Sequence, residues 1–509
     1  MGEASRTKRT LQNSRMALVL FLVQIVVGFY SRKIFLDYLG AEVLGLNTTL
    51  GNILSFMNLA ELGIGTAMAT SLYKPIHAGD HEKICEIISV QGWLYRRVAL
   101  LMVLMGAGVM IALPYIFPNT ECGLLYVYIA FSVFLFGSIA SYLWNYRQIL
   151  IYADQKNFRI MPWLHVVRYT VIGMQIVAFL VLDWGIWGWI FFEFTGNVAT
   201  IFVINHVLKT EYPWLRNSRL PGKVLIAKYH DLLVKTKQLF VHKLGTFVLE
   251  QTTPLIIYAY VSLTMVTYYS NYMIIVGYVA TSVGVVFSGM GASIGNLVAE
   301  NKKAHTLEVF WELLSSRLWI AAIACYAIYL FIVPFITLWI GEQYVLSQDT
   351  LLLILIATFI RLSRAIIDSF KEAFQLFADV WSPIVEATIN LGGSILFGYL
   401  WGLNGILLGC NLSLVLIILL WKPYYLFRQG FKASSVAYYT HYAMHILIFV
   451  VCSVLSNLLI PTKVGNSMML MFRLVPVFAV YAVVTFMLLY ATSRGMRQFT
   501  SRIINLIKH

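Results

Sequence analysis

Three charged residues on one predicted helix carry most of the chemistry this sequence can do. Arg361, Arg364 and Asp368 are spaced i, i+3, i+7, so they share one face of an otherwise apolar segment. Arg364 can pair with Asp368, which lowers the cost of holding both charges there, whereas Arg361 has no partner on that helix. The stripe reads either as the cationic wall of an aqueous cavity, where it would offset an anionic substrate, or as an interhelical salt-bridge cluster. Arg32 and Lys33 close another apolar segment and either snorkel to the outer surface or line a cavity. Arg168 is expected to snorkel to the inner surface, and Arg473 to anchor an outer helix end. The carboxylates of the apolar segments are Glu61, Glu193, Glu250 and Glu386. Glu250 precedes Thr252-Thr253-Pro254, and the proline removes a helix hydrogen bond and frees carbonyls. A carboxylate beside such a break can bind Na+ or a proton, or it can be a hydrogen-bonded structural group. Glu61 suits ion coupling or a gate salt bridge, and Asp368 is a third carboxylate for coupling or gating.

Enzyme chemistry finds little to stand on. No cluster of nucleophile, base or metal ligands is visible, and no P-loop is present. His441 and His445 are spaced i, i+4 without a third ligand nearby and are expected at the membrane interface. The five cysteines form no CxxC pair and read as small apolar fillers. No catalytic residue, metal or cofactor is assigned, so any work done must draw on a gradient, the membrane potential or downstream consumption.

The elements that position these charges follow from composition. Of 509 residues, 60% are hydrophobic and 12% charged, against about 25% charged in an ordinary soluble domain. The apolar runs are about 20 residues long, the length of a spanning helix and too long for barrel strands. The fold class is therefore an all-α integral membrane protein of about fourteen transmembrane helices. They are predicted near 16–36, 44–70, 93–116, 124–146, 161–182, 186–207, 243–262, 268–296, 317–340, 350–370, 381–400, 404–424, 441–460 and 468–491. The net charge of +14 would suggest nucleic acid in a soluble protein. Here it fits the excess of Lys and Arg in cytoplasmic loops, and no nucleic-acid partner is expected. With the N-terminus inside, only Lys463 of the 37 Lys and Arg falls in an outer loop. Six more, Arg32, Lys33, Arg168, Arg361, Arg364 and Arg473, lie within or at the ends of helices. Both termini are expected in the cytoplasm, the first helix retained rather than cleaved as a signal peptide. Trp184, Trp187 and Trp189 suit an outer aromatic belt or a sugar-stacking surface.

The chain divides at a basic connection, 209–242, in which Leu225, Leu232, Leu233 and Leu239 recur among lysines. It reads either as an amphipathic helix on the inner leaflet or as a solvated linker. Six predicted helices precede it (1–208) and six follow (243–425), and a helix pair with a basic tail ends the chain (426–509). Glu61 to Lys74 can be laid on Met290 to Lys302, the weak trace of a parallel repeat. Such repeats place a substrate site between the halves.

The opening residues add a resemblance. The run FLDYLGAEVLGLNTTLGNILSFMNLAELGIGTAMATSLYKPI contains the Leu39-Gly40 turn, the Gly45-Leu46-Asn47 entry, Glu61-Leu62-Gly63-Ile64-Gly65 and the exit Leu72-Tyr73-Lys74-Pro75. It resembles the opening helix pair of the Wzx-type polysaccharide flippases, of the superfamily that also holds lipid II flippases and multidrug-and-toxin extruders. The resemblance implies two six-helix lobes related by a pseudo-two-fold, plus an added C-terminal pair. It implies a bacterial inner-membrane protein that moves an isoprenoid-pyrophosphate-linked oligosaccharide from the inner to the outer leaflet during O-antigen or capsule synthesis. Membrane lipid, H+ or Na+, and polysaccharide polymerase and other assembly proteins are then its partners. Arg32, Lys33, Arg361 and Arg364 would meet the pyrophosphate, and Glu61, Glu250 and Asp368 would couple ions or gate. Two alternatives are a cation-coupled multidrug extruder of the same superfamily and a membrane glycosyltransferase or polymerase. The second usually needs a large outer loop, which this chain lacks.

Overall fold

Lipid offers no partner to backbone N–H and C=O groups, so a chain this apolar must satisfy them within each segment. The computed structural model does so with 89% helix and no strand among the described residues. Those residues are 3–61, 63–118, 120–218, 220–230, 232, 233, 236, 240, 251–287, 290–300, 302–376, 378, 379, 381–460 and 466–508. They form two compact units, 1–258 and 259–509.

The first unit holds α1 (Glu3–Met57), α2 (Ile64–Ala78), α3 (His81–Ile116), α4 (Leu124–Leu143), α5 (Ile149–Ala153), α6 (Asn157–Leu180), α7 (Gly185–Glu211) and α8 (Gly222–Lys228). The second holds α9 (Leu263–Val286), α10 (Met290–Ala299), α11 (Lys303–Trp339), α12 (Gln348–Ala373), α13 (Trp381–Ser413), α14 (Lys422–Tyr425), α15 (Val436–Asn457), α16 (Ser467–Thr492) and α17 (Arg494–Lys508). Ten helices of the described residues are long and apolar enough to cross a membrane. Twelve of the fourteen predicted spans fall wholly or partly on these ten, two of which hide a break, while 268–296 covers α9 and α10 and 243–262 lies partly outside the described residues.

One break is at Gly40 (φ 78°, ψ 171°), a conformation that penalises a Cβ. Beyond it α1 runs parallel to α4: Asn47 bonds the Tyr126 hydroxyl at 3.0 Å, and the Tyr142 hydroxyl donates to Asn58 Oδ1 at 2.8 Å. The other break is at Trp401 and Gly402 (φ 56°). It folds α13 into an antiparallel hairpin, in which Asn390 meets Ser413 and Ser394 Oγ donates to the Ile406 carbonyl. The two arms touch backbone to backbone. A Cβ on Gly393 would lie 3.0 Å from Gly409 Cα, and one on Gly409 would run into Ser394 N. Small residues allow such close approach in membranes, where packing replaces the hydrophobic drive. Gly409→Val is therefore expected to abolish the monodisperse peak in detergent size-exclusion chromatography. Gly392→Ala, which faces open space, leaves that peak intact.

Two predicted spans are not single helices. The segment 44–70 breaks at a 3-10 turn, Asn58–Glu61, and restarts at α2 after Gly63 (φ 93°). The segment 268–296 stops at Phe287 and restarts at α10. In each unit a short helix then leads into a very long one, α3 and α11, of 36 and 37 residues. These start twelve and fourteen residues before their predicted spans, an extension of about 20 Å at 1.5 Å per residue.

In the first unit the basic connection is sewn onto this extension. Trp214 stacks on His81 at 3.8 Å, and Asn217 accepts from Arg147 at 2.7 Å. Lys228 and the Tyr229 hydroxyl both bond buried Glu86, at 2.7 Å and 2.5 Å. The described residues 212–218 and 220–230 are thus held against α3, where Lys228 supplies the counterion of Glu86. In the second unit the core is aromatic around Phe310, whose ring lies 5.1–5.3 Å from those of Phe370, Phe427 and Phe431. The last helix pair packs on it through Tyr438 and Tyr442, and a separate cluster stacks Tyr481 on Tyr326 of α11 at 3.9 Å.

Candidate functional site

α12 presents its apolar side, including Ile354, Ile366, Ile367 and Phe370, to the core, which turns Arg361, Arg364 and Asp368 the other way. Arg364 Nε donates to Asp368 Oδ2 at 2.8 Å, as their spacing requires. Asp368 is also shared across helices: Lys422 Nζ lies 3.4 Å from its other oxygen. Lys422 sits between two π-helical stretches, Leu414–Trp421 and Leu426–Phe431, whose wider turns re-aim side chains at the end of the hairpin. Lys371 pairs with Asp379 at 2.6 Å, both buried. Glu386 is 2% exposed and within electrostatic reach of Lys422, Arg364 and Arg361, and its Oε1 accepts no hydrogen bond among the described residues.

Arg361 stands beside this network with no ion pair among the described residues. It is the fourteenth of 26 residues in α12, and it is exposed. A fixed charge midway along a spanning helix is very costly against hydrocarbon.

In the first unit Arg32 is half-buried and Lys33 exposed on α1, ahead of Gly40. Glu61 closes the 3-10 turn that interrupts the second span. The Tyr95 hydroxyl donates to Glu61 Oε1 at 2.8 Å, and Tyr142 packs edge-on against Tyr95 at 5.2 Å while its hydroxyl caps Asn58. Gly65 makes room: a Cβ there would lie 3.1 Å from Glu61 Oε1. Glu61, Gly63 and Gly65 together form a stitched hinge. Glu250 lies outside the described residues.

No family model matches the chain, and no curated protein matches it. Among solved structures, the lipid II flippase MurJ in an inward closed conformation superposes with a TM-score of 0.61 at 14% identity, covering 93% of this chain and 98% of MurJ. A point mutant of the Vibrio cholerae MATE transporter VcmN gives 0.54 at 14%, covering 84% and 99%. An inward-facing multidrug resistance MATE transporter of the MOP superfamily gives 0.51 at 13%, covering 81% and 98%. The chain therefore has the fold of these structures. At these identities the likeness carries the architecture alone, and the Wzx-type resemblance stays a reading of the opening motif.

Three groups within this fold sit where the sequence did not put them. Arg168 does not snorkel. Its Nη1 lies 3.2 and 3.1 Å from the two oxygens of Glu193 on α7, and Gln175 Nε2 adds a bond to Glu193 at 3.3 Å. Arg168 is the twelfth of 24 residues in α6, and its side chain is 55% exposed, so the ion pair sits at mid-helix with the guanidinium partly uncovered. Arg317, counted with the inner-loop cations, is the fifteenth residue of α11 and 4% exposed. Its Nε donates to the Leu362 carbonyl at 2.7 Å, the guanidinium lies 4.3 Å from the Phe287 ring, and Nη1 has no hydrogen-bond partner. It braces the break between α9 and α10. His445 is wholly buried and bonded to the His441 carbonyl at 2.7 Å, so the histidine pair is packed inside rather than placed at the interface. Opposite charges on consecutive predicted helices were the one available signal for the Arg168–Glu193 pair. Nothing in hydropathy marks Arg317, since the sequence does not say how far α11 extends.

Proposed function

We propose that this chain is a flippase for an isoprenoid-pyrophosphate-linked oligosaccharide, moving the sugar headgroup from inner to outer leaflet by alternating access during surface polysaccharide assembly. The observation that carries the reading is Arg361, an exposed cation at the middle of a spanning helix with no ion pair among the described residues, flanked by the Arg364–Asp368–Lys422 network. A lipid tail can stay in the membrane, but pyrophosphate and hydroxyls cannot cross hydrocarbon without polar partners. Moving one charge against 100 mV takes about 2.3 kcal/mol, so fixed cations that travel with the substrate's surroundings ease the step. Arg32, Lys33, Arg361 and Arg364 offset the pyrophosphate, and Glu61, Glu250 and Asp368 are the candidates for H+ or Na+ coupling or gating. The neighbours support a transporter rather than an enzyme: by name they are a lipid II flippase and MATE transporters. The protein would reside in a bacterial inner membrane with both termini cytoplasmic, as lobes 1–208 and 243–425 joined by 209–242 and followed by 426–509.

The second reading, a cation-coupled multidrug extruder, draws on the MATE neighbours and on the membrane carboxylates Glu61, Asp368 and Glu386. Proteoliposomes decide between them. A fluorescent isoprenoid-pyrophosphoryl saccharide should become accessible to a quencher on the opposite leaflet in a protein-dependent way, with ethidium left in place. Ethidium extrusion under an imposed proton or sodium gradient, without lipid movement, overturns the flippase reading.

A further inference from the structure

α17 follows α16 after an extended residue, Ser493 (ψ 121°), and lies along the amino-terminal extension of α11. It is docked, not free. Met496 is fully buried, Ser493 and Ser315 hydroxyls meet at 3.1 Å, and Gly495 packs under the Trp311 carbonyl, where a Cβ would clash. Two ion pairs fix its register: Arg494 Nη2 to Glu308 Oε1 at 3.0 Å and Arg502 Nε to Glu312 Oε1 at 2.9 Å, the latter carboxylate on a residue only 3% exposed.

Between the two helices runs an open cleft of about 760 Å³, walled by Glu308, Glu312, Arg494, Arg497 and Arg502. It adjoins a second cavity of about 530 Å³ that shares His305, Val309, Glu312 and Arg502 with it. That one is walled mainly by Met290, Ile294, Leu297, Phe499 and Ile503, and its further carboxylate, Glu300, is neutralised by Lys302 at 3.5 Å. The two halves differ in chemistry. In the polar half each carboxylate is already matched to one guanidinium, which leaves Arg497, exposed and without an ion pair among the described residues, as one uncompensated positive charge. The other half is mainly apolar.

We propose that this composite cleft is a binding site for an anionic phospholipid of the leaflet it faces, the phosphodiester on Arg497 and an acyl chain in the apolar half. The charge complementarity selects the occupant: a site with a net single positive charge and a greasy extension fits a monoanionic amphiphile such as phosphatidylglycerol. Zwitterionic lipids bring an ammonium that the paired glutamates cannot take. The site is independent of what the protein transports, and the bound lipid would tie α17 to α10 and α11.

Native mass spectrometry of the purified full-length protein tests this, with added phosphatidylglycerol, phosphatidylethanolamine or phosphatidylcholine. Phosphatidylglycerol should be retained in preference to the other two. Arg497→Gln should weaken its retention about fivefold, the worth of one basic side chain at an anionic surface. Ile503→Gln, at a partly exposed apolar position, should weaken it several-fold through the acyl chain. Both variants should melt at the wild-type Tm in lipid-free detergent, since neither residue is ion-paired. Equal retention of the three lipids, undiminished binding by Arg497→Gln, or displacement by soluble glycerol phosphate as effective as by the intact lipid each overturns the proposal.

Discussion

The double variant Arg361→Gln/Arg364→Gln is expected to bring lipid-linked saccharide movement down to the protein-free background while the protein still inserts and folds. Each guanidinium can donate charge-assisted hydrogen bonds to a pyrophosphate, worth about 1.5–3 kcal/mol each. Losing two such partners slows passage by about a hundredfold or more. The fold should survive because neither removal strands a charge. Arg361 has no ion pair among the described residues, and Asp368 keeps Lys422 when Arg364 is neutralised. Arg361→Lys/Arg364→Lys preserves the charge and should retain much of the transport, losing only the fork geometry. Quencher-access assays on proteoliposomes read the transport, and a thermal melt in detergent reads the fold. Background transport at an unchanged Tm supports the site. Wild-type transport in the glutamine pair places the substrate elsewhere.

What the sequence made legible was whatever rests on local order. The apolar runs marked the spans, and the i, i+4 spacing marked Arg364 with Asp368. The Glu61-Leu62-Gly63-Ile64-Gly65 run stood out as a motif, but the break that its positive φ at Gly63 and cramped Gly65 accompany fell inside one predicted span. What stayed hidden depends on which helices touch. Lys422 and Lys371 look like ordinary inner-loop cations, yet both are held by carboxylates near the end of α12. Glu86 looks like a surface residue of a loop, and only the long reach of α3 makes it the buried partner of Lys228 and Tyr229. Arg317 is the clearest case. A hydropathy window ends a span at the first charge, but a helix continues as long as tertiary packing rewards it, and so a residue assigned to water lies under Phe287.

Neutralising either Arg168 or Glu193 alone is expected to cost far more than neutralising both. In Arg168→Gln the Glu193 carboxylate keeps only Gln175 as a described partner, and in Glu193→Gln the guanidinium loses its counterion. An uncompensated charge near a helix centre costs about 2.5–3.5 kcal/mol on insertion scales, a large share of the about 5–15 kcal/mol that holds an ordinary chain folded, so the folded yield and the Tm should both fall. The double variant Arg168→Gln/Glu193→Gln removes both charges and should restore the folded yield, as should the exchange Arg168→Glu/Glu193→Arg. The coupling in this cycle reports the pair itself. Transport separates two further cases that yield cannot. If the pair only locks α6 to α7, the restored double variant transports normally. If it also lines a polar passage on the side where its arginine is 55% exposed, the glutamine pair folds but transports slowly, and the exchanged pair recovers both. Additive losses of yield in the double variant would show that the two charges stand apart in the membrane.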